Sequence, residues 1–137
     1  MRQHPAVYLL LSAALFLSMG AQGSKTMYEP LPIAVPEGLT RENISKAISD
    51  TLTGRKWSID EVTLAKGEEQ SEILATLHVR THQLSIKFLF DEDKIEIHYV
   101  QSTNLQYREK KGKKYIHPKY TQWINNLEFD LKANLRK

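Results

Sequence analysis

Apolar and polar residues alternate through the middle of the chain in a way that predicts three consecutive β-strands. Every second residue is apolar in the runs from Ile73 to Val79, from Leu84 to Phe90 and from Ile95 to Tyr99. A two-residue period is typical of a strand with one buried face. The polar segments between the runs, at His82–Gln83 and at Asp91–Lys94, predict the turns of an antiparallel meander.

A fourth strand is predicted just before these three. Trp57 and Ile59 alternate with polar residues in one phase, and Val62 and Leu64 do so in the other. Because one extra residue reverses the phase of the residues that follow it, this change predicts a β-bulge near Asp60.

Two helices are predicted, one on either side of the meander. Thr40 is a suitable N-cap for the first helix, which should end at Gly54, and Pro118 is suited to the start of the second. Apolar residues recur every three or four positions in both. The stripes comprise Ile44, Ala47, Ile48, Thr51 and Leu52 in the first helix and Tyr120, Trp123, Ile124, Leu127, Leu131 and Leu135 in the second.

These elements predict an α+β fold. It is a two-layer sandwich of a helix, an antiparallel meander of about four strands and a C-terminal helix, with both helices packed on one sheet face. The residues expected to be buried together are Trp57, Phe88, Tyr99, Trp123 and Leu127. The other sheet face should meet water or a partner, and its predicted residues are Thr76, His78, Arg80, Ser85, Lys87, Glu96 and His98.

The N-terminal segment has the pattern of a secretory signal peptide. Arg2 precedes an apolar run from Ala6 to Met19 that ends in small residues, and the run is shorter than the roughly 20 residues that span a bilayer. We predict cleavage after Gly23 without lipid attachment, because Gly20 stands where a lipoprotein would carry its acylated cysteine. The alternative is an uncleaved membrane anchor.

This interpretation divides the chain into a signal peptide (1–23), an extended Pro-containing lead-in (24–39) and a single α+β domain (40–137). The chain has no cysteine, which is common among bacterial periplasmic domains and unusual for small secreted eukaryotic ones, so we expect a periplasmic protein. Once Arg2 is removed, 18 basic residues remain against 16 acidic ones. An electrostatic function would therefore have to come from local clusters.

One basic cluster lies between the last predicted strand and the C-terminal helix. Six cations and a single anion, Glu109, give it a local charge of +5; the cations are Arg108, Lys110, Lys111, Lys113, Lys114 and Lys119. These residues are candidates for binding a polyanion such as anionic lipid or lipopolysaccharide. The alternative is a solvated, mobile connection between strand and helix. Nucleic acid is not an expected partner, because an exported protein is separated from cellular nucleic acid and because no set of aromatic residues on which bases could stack is evident.

Histidines are the side chains that could suggest a metal site. His78, His82 and His98 are predicted to project from one sheet face, with His78 opposite Lys87 and Lys87 opposite His98. The two outer imidazoles are then roughly 9.6 Å apart, whereas zinc needs its ligand nitrogens about 2.0 to 2.1 Å from the ion. We therefore predict no metal ion and no cofactor.

No constellation of residues points to an enzyme. The chain lacks cysteine and a Gly-x-Ser-x-Gly motif. No serine lies at a spacing from a histidine and a carboxylate that would indicate a catalytic triad. We expect no catalytic residues.

A group of candidate recognition residues lies at and beyond the sheet. Ser102, Asn104 and Tyr107 supply hydrogen-bonding groups where the last strand ends, and Arg80 and His98 belong to the predicted polar face. They could hold a ligand or partner. The alternative for the segment from Ser102 to Tyr107 is that it caps a turn.

Several short segments also carry a family resemblance. They are Ile73-Leu74-Ala75-Thr76-Leu77, Ile95-Glu96-Ile97-His98-Tyr99, Ser102-Thr103-Asn104-Leu105 and Ile116-His117-Pro118-Lys119-Tyr120, together with Trp57 and Trp123. In these segments the chain resembles small exported proteins of proteobacteria, many of them lipoproteins. The resemblance covers most of the mature domain and implies an envelope location, but no activity and no catalytic residue. Members with a lipobox cysteine would be membrane-tethered, and this chain departs from them at Gly20.

The sequence thus leads to two functional hypotheses. The first is a non-enzymatic periplasmic module that binds an envelope protein or peptide on the polar sheet face or at the segment from Ser102 to Tyr107. The alternative is an envelope-surface binder that uses residues 108–119 on anionic lipid or lipopolysaccharide. Salt would separate them, because binding through exposed charges weakens as the screening length shortens. Neither hypothesis fixes the oligomeric state.

Overall fold

Strands and helices follow one another along residues 23–137, the part of the chain that the computed structural model describes. In chain order they are β1 (Lys25–Thr26), β2 (Ile33–Ala34), α1 (Arg41–Gly54), β3 (Ser58–Thr63), β4 (Ser71–Val79), β5 (His82–Phe90), β6 (Lys94–Thr103), β7 (Arg108–Lys110), β8 (Lys113–Ile116) and α2 (Lys119–Asn134). The predicted α+β class is confirmed. The predicted signal peptide, apart from Gly23, lies outside the described residues.

The larger sheet is antiparallel and has the strand order β2-β6-β5-β4-β3. It contains the predicted meander, β3 to β6. The bulge predicted near Asp60 is confirmed, because the pairing of β3 with β4 shifts between Ile59 and Glu61. A second shift in register, between β5 and β6, leaves Val100 without a partner residue on β5. A bulge therefore lies in each of β3 and β6.

A smaller sheet of order β1-β8-β7 occupies the region where the sequence predicts only a connection. Strands β7 and β8 form a hairpin, here called the basic hairpin (residues 108–116). Its two turn residues, Lys111 and Gly112, have φ values of 52° and 77°, and a two-residue turn with both φ values positive matches the right-handed twist of its strands. The strands are short and charged, so they lack the apolar alternation that reveals the others.

The Pro-containing lead-in contributes one strand to each sheet. β1 pairs with β8 and β2 pairs with β6. Between them, the Tyr28 hydroxyl donates a hydrogen bond of 2.8 Å to the carboxylate of Glu128, a buried residue of α2. The lead-in is thereby held against the sheets and the second helix.

Both helices contribute to one hydrophobic core with the inward side chains of the larger sheet. Thr40 caps α1 as predicted, since its hydroxyl accepts a hydrogen bond from the backbone N–H of Asn43 and the Asn43 side chain accepts one from Thr40. Of the residues predicted to be buried together, Trp57, Phe88 and Leu127 are buried. The other two, Tyr99 and Trp123, are only partly buried and pack against the core from its margin.

A buried arginine fixes the loop between β3 and β4. Arg41, the first residue of α1, is only 6% exposed. Its guanidinium donates to the backbone carbonyls of Ala65 (2.6 Å), Gly67 (2.6 Å) and Glu69 (2.5 Å), and its Nε donates to the Glu92 carboxylate at 2.8 Å. One side chain therefore joins the start of α1, the β3–β4 loop and the β5–β6 turn.

Candidate functional site

The register of the meander decides which polar residues are neighbours. The β4–β5 turn is formed by Arg80 and Thr81, so Val79 pairs with His82 and His78 with Gln83. The predicted turn at His82–Gln83 is therefore wrong by two residues.

The predicted pairing of His78 with Lys87 is wrong as a result, because Lys87 lies opposite Leu74. The predicted pairing of Lys87 with His98 is confirmed.

His82 does not share a sheet face with His78 and His98. It lies two residues before buried Leu84, in the same phase of β5, and pairs with Val79, so it lies on the side of the sheet that carries the helices. Its Nδ1 is 2.8 Å from the carbonyl oxygen of Asn104, and its ring centroid is 6.4 Å from that of His117. Within residues 23–137, no group of three or more acidic or histidine side chains is placed to hold a metal ion.

The open face is defined here as the side of the larger sheet opposite the helices. The registers place its residues in rows across the strands: Ser58, Thr76, Ser85 and Gln101 in one, and Glu61, Leu74, Lys87 and His98 in the next. Both helices of the described region pack on the other side. On this open face His78 and His98 are exposed, Ser85 and Lys87 are partly buried, and Thr76 is only 6% exposed.

A chain of hydrogen bonds crosses this open face. The Thr76 hydroxyl donates to the Asp60 carboxylate at 2.6 Å and lies 2.8 Å from the Ser85 hydroxyl. Since Thr76 has a single hydroxyl proton, Ser85 must be the donor in the second bond. Both protons are thus directed towards Asp60. The lone pairs of Ser85 and the second carboxylate oxygen of Asp60 remain as acceptors.

This chain is the main feature that sequence reasoning missed. The sequence places each of its three residues separately: Thr76 and Ser85 lie in the polar phase of their strands, and Asp60 lies at the predicted bulge. A bulge redirects a side chain, and here it directs Asp60 towards Thr76. Only the structure shows that the three residues meet.

The hydrogen-bonded chain lies in a shallow depression of about 350 Å³. Its polar lining includes His78, Gln83 and Gln101, and its apolar lining includes Leu74 and Val100. Val100, the unpaired residue of the second bulge, is 44% exposed. The depression thus combines hydrogen-bonding groups with a small exposed apolar surface.

The open face carries more negative than positive charge. Its carboxylates are Asp60, Glu61, Glu72 and Glu96, and its lysines are Lys87 and Lys94. His98 Nε2 is 2.9 Å from a Glu96 carboxylate oxygen, and this hydrogen bond holds the pKa of Glu96 below its usual value. An acceptor-rich, mildly acidic surface suits a partner that supplies hydrogen-bond donors.

Three of the predicted recognition residues make hydrogen bonds or stacking contacts with other residues of the protein. The Ser102 hydroxyl is 2.8 Å from the Tyr99 hydroxyl. Asn104 has a φ of 62° and donates from its side-chain amide to the Thr81 carbonyl at 3.3 Å. Tyr107 stacks on Tyr99 with ring centroids 4.4 Å apart. These contacts are those expected of a segment that stabilises its own turn.

The other two predicted recognition residues lie apart from this segment and from each other. Arg80 is exposed and forms part of the β4–β5 turn, with a φ of 56°. His98 lies in the middle of β6 on the open face, opposite Lys87. The five residues therefore do not form one site, and of them only His98 faces the side that carries the depression.

The basic hairpin concentrates five of the six predicted polyanion-binding residues. Lys110 lies directly opposite Lys113, Glu109 opposite Lys114 and Arg108 opposite Tyr115, while Lys111 occupies the turn. Lys119 is exposed at the start of α2 instead. None of these six cations has a carboxylate within 4.0 Å in the described part of the chain.

Both tryptophans of the chain line a separate, mostly apolar cleft of about 210 Å³. Trp57 and Trp123 share it with Leu77 and Val79. Arg55 lies at the same cleft and forms two hydrogen bonds with Asp130, at 2.6 and 3.2 Å, which lower the pKa of that carboxyl.

Comparison with protein-family models, with curated proteins and with solved structures gives no match to this chain. Its surfaces must therefore be interpreted from their own geometry. Across residues 23–137 no helix is both long and apolar enough to cross a membrane.

Proposed function

We propose that this chain is a non-enzymatic interaction module of the bacterial periplasm that binds an envelope protein or peptide on its open face. The observation that carries the proposal is the chain from Ser85 through Thr76 to Asp60, which lies in an accessible depression and ends in free acceptors. A partner would meet it with backbone N–H groups or with lysine or arginine side chains, whose hydrogen bonds to a carboxylate are strong.

The same geometry favours binding over nucleophilic catalysis. A serine nucleophile needs a base that accepts its proton, but the Ser85 proton is directed to Thr76. His78 lines the depression and makes no hydrogen bond with Ser85 or with any other described side chain. Ser85 and Asp60 are therefore suited to recognition, and buried Thr76 orients both of them.

The periplasmic location is proposed on the signal-peptide pattern of residues 1–23. Intact-mass analysis of material from the periplasmic fraction tests it. A mass that begins at Ser24 is expected, and a mass that still includes residues 1–23, or an added diacylglycerol, would contradict it.

Photo-crosslinking tests the proposed binding face. A photoreactive amino acid at Gln101, on the open face, is compared with one at Gln122, an exposed residue of α2, after incubation with envelope extract. We expect a discrete crosslinked protein from Gln101 that is absent from Gln122. Asp60→Arg should abolish that product, because it places a donor and a positive charge where the partner's own donors bind.

Two matched variants complete this experiment. Thr76→Val keeps the shape of the side chain but breaks the hydrogen-bonded chain, so it should weaken the crosslink. Arg136→Ala, at the exposed C-terminal end, should leave the crosslink unchanged. Equal labelling from Gln101 and Gln122, or a Gln101 product insensitive to Asp60→Arg, would refute the open face as the binding site.

A further inference from the structure

We propose that the basic hairpin docks the domain on an anionic membrane surface by contact with lipid phosphates. This site is separate from the open face, and it does not depend on the function proposed there.

The hairpin contains two features that are unfavourable for folding. Lys110 and Lys113 lie directly opposite each other, and like charges in that position destabilise a strand pair. Lys111 has a φ of 52°, a conformation that asparagine, aspartate or glycine adopts more readily. Neither feature adds to the stability of the turn. Both are explained if the lysines are needed for an external anion.

The protein itself does little to neutralise this charge. Glu109 is the only acidic residue of the hairpin, and one of its carboxylate oxygens accepts a hydrogen bond of 3.3 Å from the Tyr107 hydroxyl. Arg108 lies over the Tyr115 ring, with its guanidinium carbon 5.1 Å from the ring centroid. The aromatic ring holds this cation in place and leaves its charge uncompensated.

The shape of the hairpin favours a surface over a small soluble anion. The turn places Lys110, Lys111 and Lys113 together at the tip. The depression beside the tip is lined by Gly112, Lys113 and Lys114 but also by Glu29, whose carboxylate would repel a phosphate seated there. Lysine is a compact charge on a flexible stem, so such a tip can meet many headgroups of an anionic surface at once.

Vesicle co-sedimentation of the full chain tests this proposal. Vesicles of phosphatidylcholine with phosphatidylglycerol are compared with vesicles of phosphatidylcholine alone. The apolar run from Ala6 to Met19 would bind both kinds, so the difference between them reports the electrostatic part of binding, and the variants below assign that part to the hairpin. We expect this difference to shrink between low salt, where the screening length is about 30 Å, and physiological salt, where it is about 8 Å.

The decisive variant replaces four lysines of the hairpin with glutamine: Lys110→Gln, Lys111→Gln, Lys113→Gln and Lys114→Gln. The preference for anionic vesicles should fall at least about a hundredfold, because each lysine near such a surface contributes roughly a factor of five. The corresponding four Lys→Arg substitutions should retain the preference. Circular dichroism on each variant confirms that it is folded.

A charge-matched control carries Lys→Gln at four exposed positions elsewhere: Lys56, Lys66, Lys132 and Lys137. It should keep the preference for anionic vesicles. An equal loss in this control would show that only net charge matters and would overturn the proposal.

Two further outcomes would replace the membrane with another partner. Tighter binding of wild type to soluble polyphosphate than to vesicles would assign the hairpin to a soluble polyanion. Conversion of an oligomer to a monomer by the hairpin variant, without a change in vesicle binding, would assign it to the acidic open face of a second copy.

Discussion

Removal of the Arg41 guanidinium should destabilise the domain strongly. It donates four hydrogen bonds of 2.5 to 2.8 Å to three loop carbonyls and to Glu92. A hydrogen bond to a charged group contributes about 1.5 to 3 kcal/mol. The four contributions do not add, because without the arginine the loop can open and let water reach its carbonyls. We therefore expect Arg41→Ala to lower the free energy of unfolding by about 3 kcal/mol.

Urea denaturation followed by circular dichroism measures this loss, and an unchanged m-value shows that the transition is comparable between variants. Arg41→Lys keeps the charge but lacks the planar fork of donors, so it should recover less than half of the loss. Arg136→Ala, at the exposed C-terminal end, is the control and should change stability little. A loss below about 1 kcal/mol in Arg41→Ala would mean that the β3–β4 loop holds its position without the arginine.

Three further perturbations test other parts of the structure. Arginine partners hold the pKa values of Glu92 and Asp130 below their ordinary 4.5 and 3.8. The stability that these two ion pairs contribute should be present in full above about pH 4.5 and should be lost as the pH falls through the lowered pKa values. Denaturation at different pH measures it, and equal stability at pH 3 and 7 would contradict it. Phe88→Ala should cost about 3 to 5 kcal/mol and Trp123→Ala less, because only Phe88 is fully buried; the reverse order would be inconsistent with this core. Lys110→Glu should raise the free energy of unfolding by about 0.2 to 1 kcal/mol, because it places a carboxylate opposite Lys113. A decrease would mean that the pair of lysines does not destabilise the hairpin.

Alternation in the sequence predicts sheet faces better than it predicts register. A strand pattern repeats every two residues, so a shift by an even number of residues leaves every side chain on the same face. The predicted β4–β5 pairing differs from the observed one by such a shift, with His78 opposite Gln83 in place of Lys87. The turn that sets the register, Arg80 and Thr81, has none of the residues that usually mark a tight turn.

Other features depended on information that hydropathy does not contain. The strands of the basic hairpin are charged, and only the glycine at the second turn position indicates a two-residue turn. The burial of Arg41 depends on carbonyls 24 to 28 residues away in the chain, which no local pattern reveals. At the candidate site, the polar phase of the open face was predictable, whereas the contact of Asp60 with Thr76 depends on how the bulge directs the side chain.

The position of the two tryptophans determines what an optical experiment on this protein can report. Because Trp57 and Trp123 line the same cleft, intrinsic fluorescence records the packing of α2 against β4. The basic hairpin and the open face contain no tryptophan. A ligand that quenches the emission by direct contact would therefore bind at the cleft, whereas docking of the hairpin on a vesicle would leave the spectrum largely unchanged. An unfolding transition seen by fluorescence before the one seen by circular dichroism would show that α2 separates from the sheet while the meander remains folded.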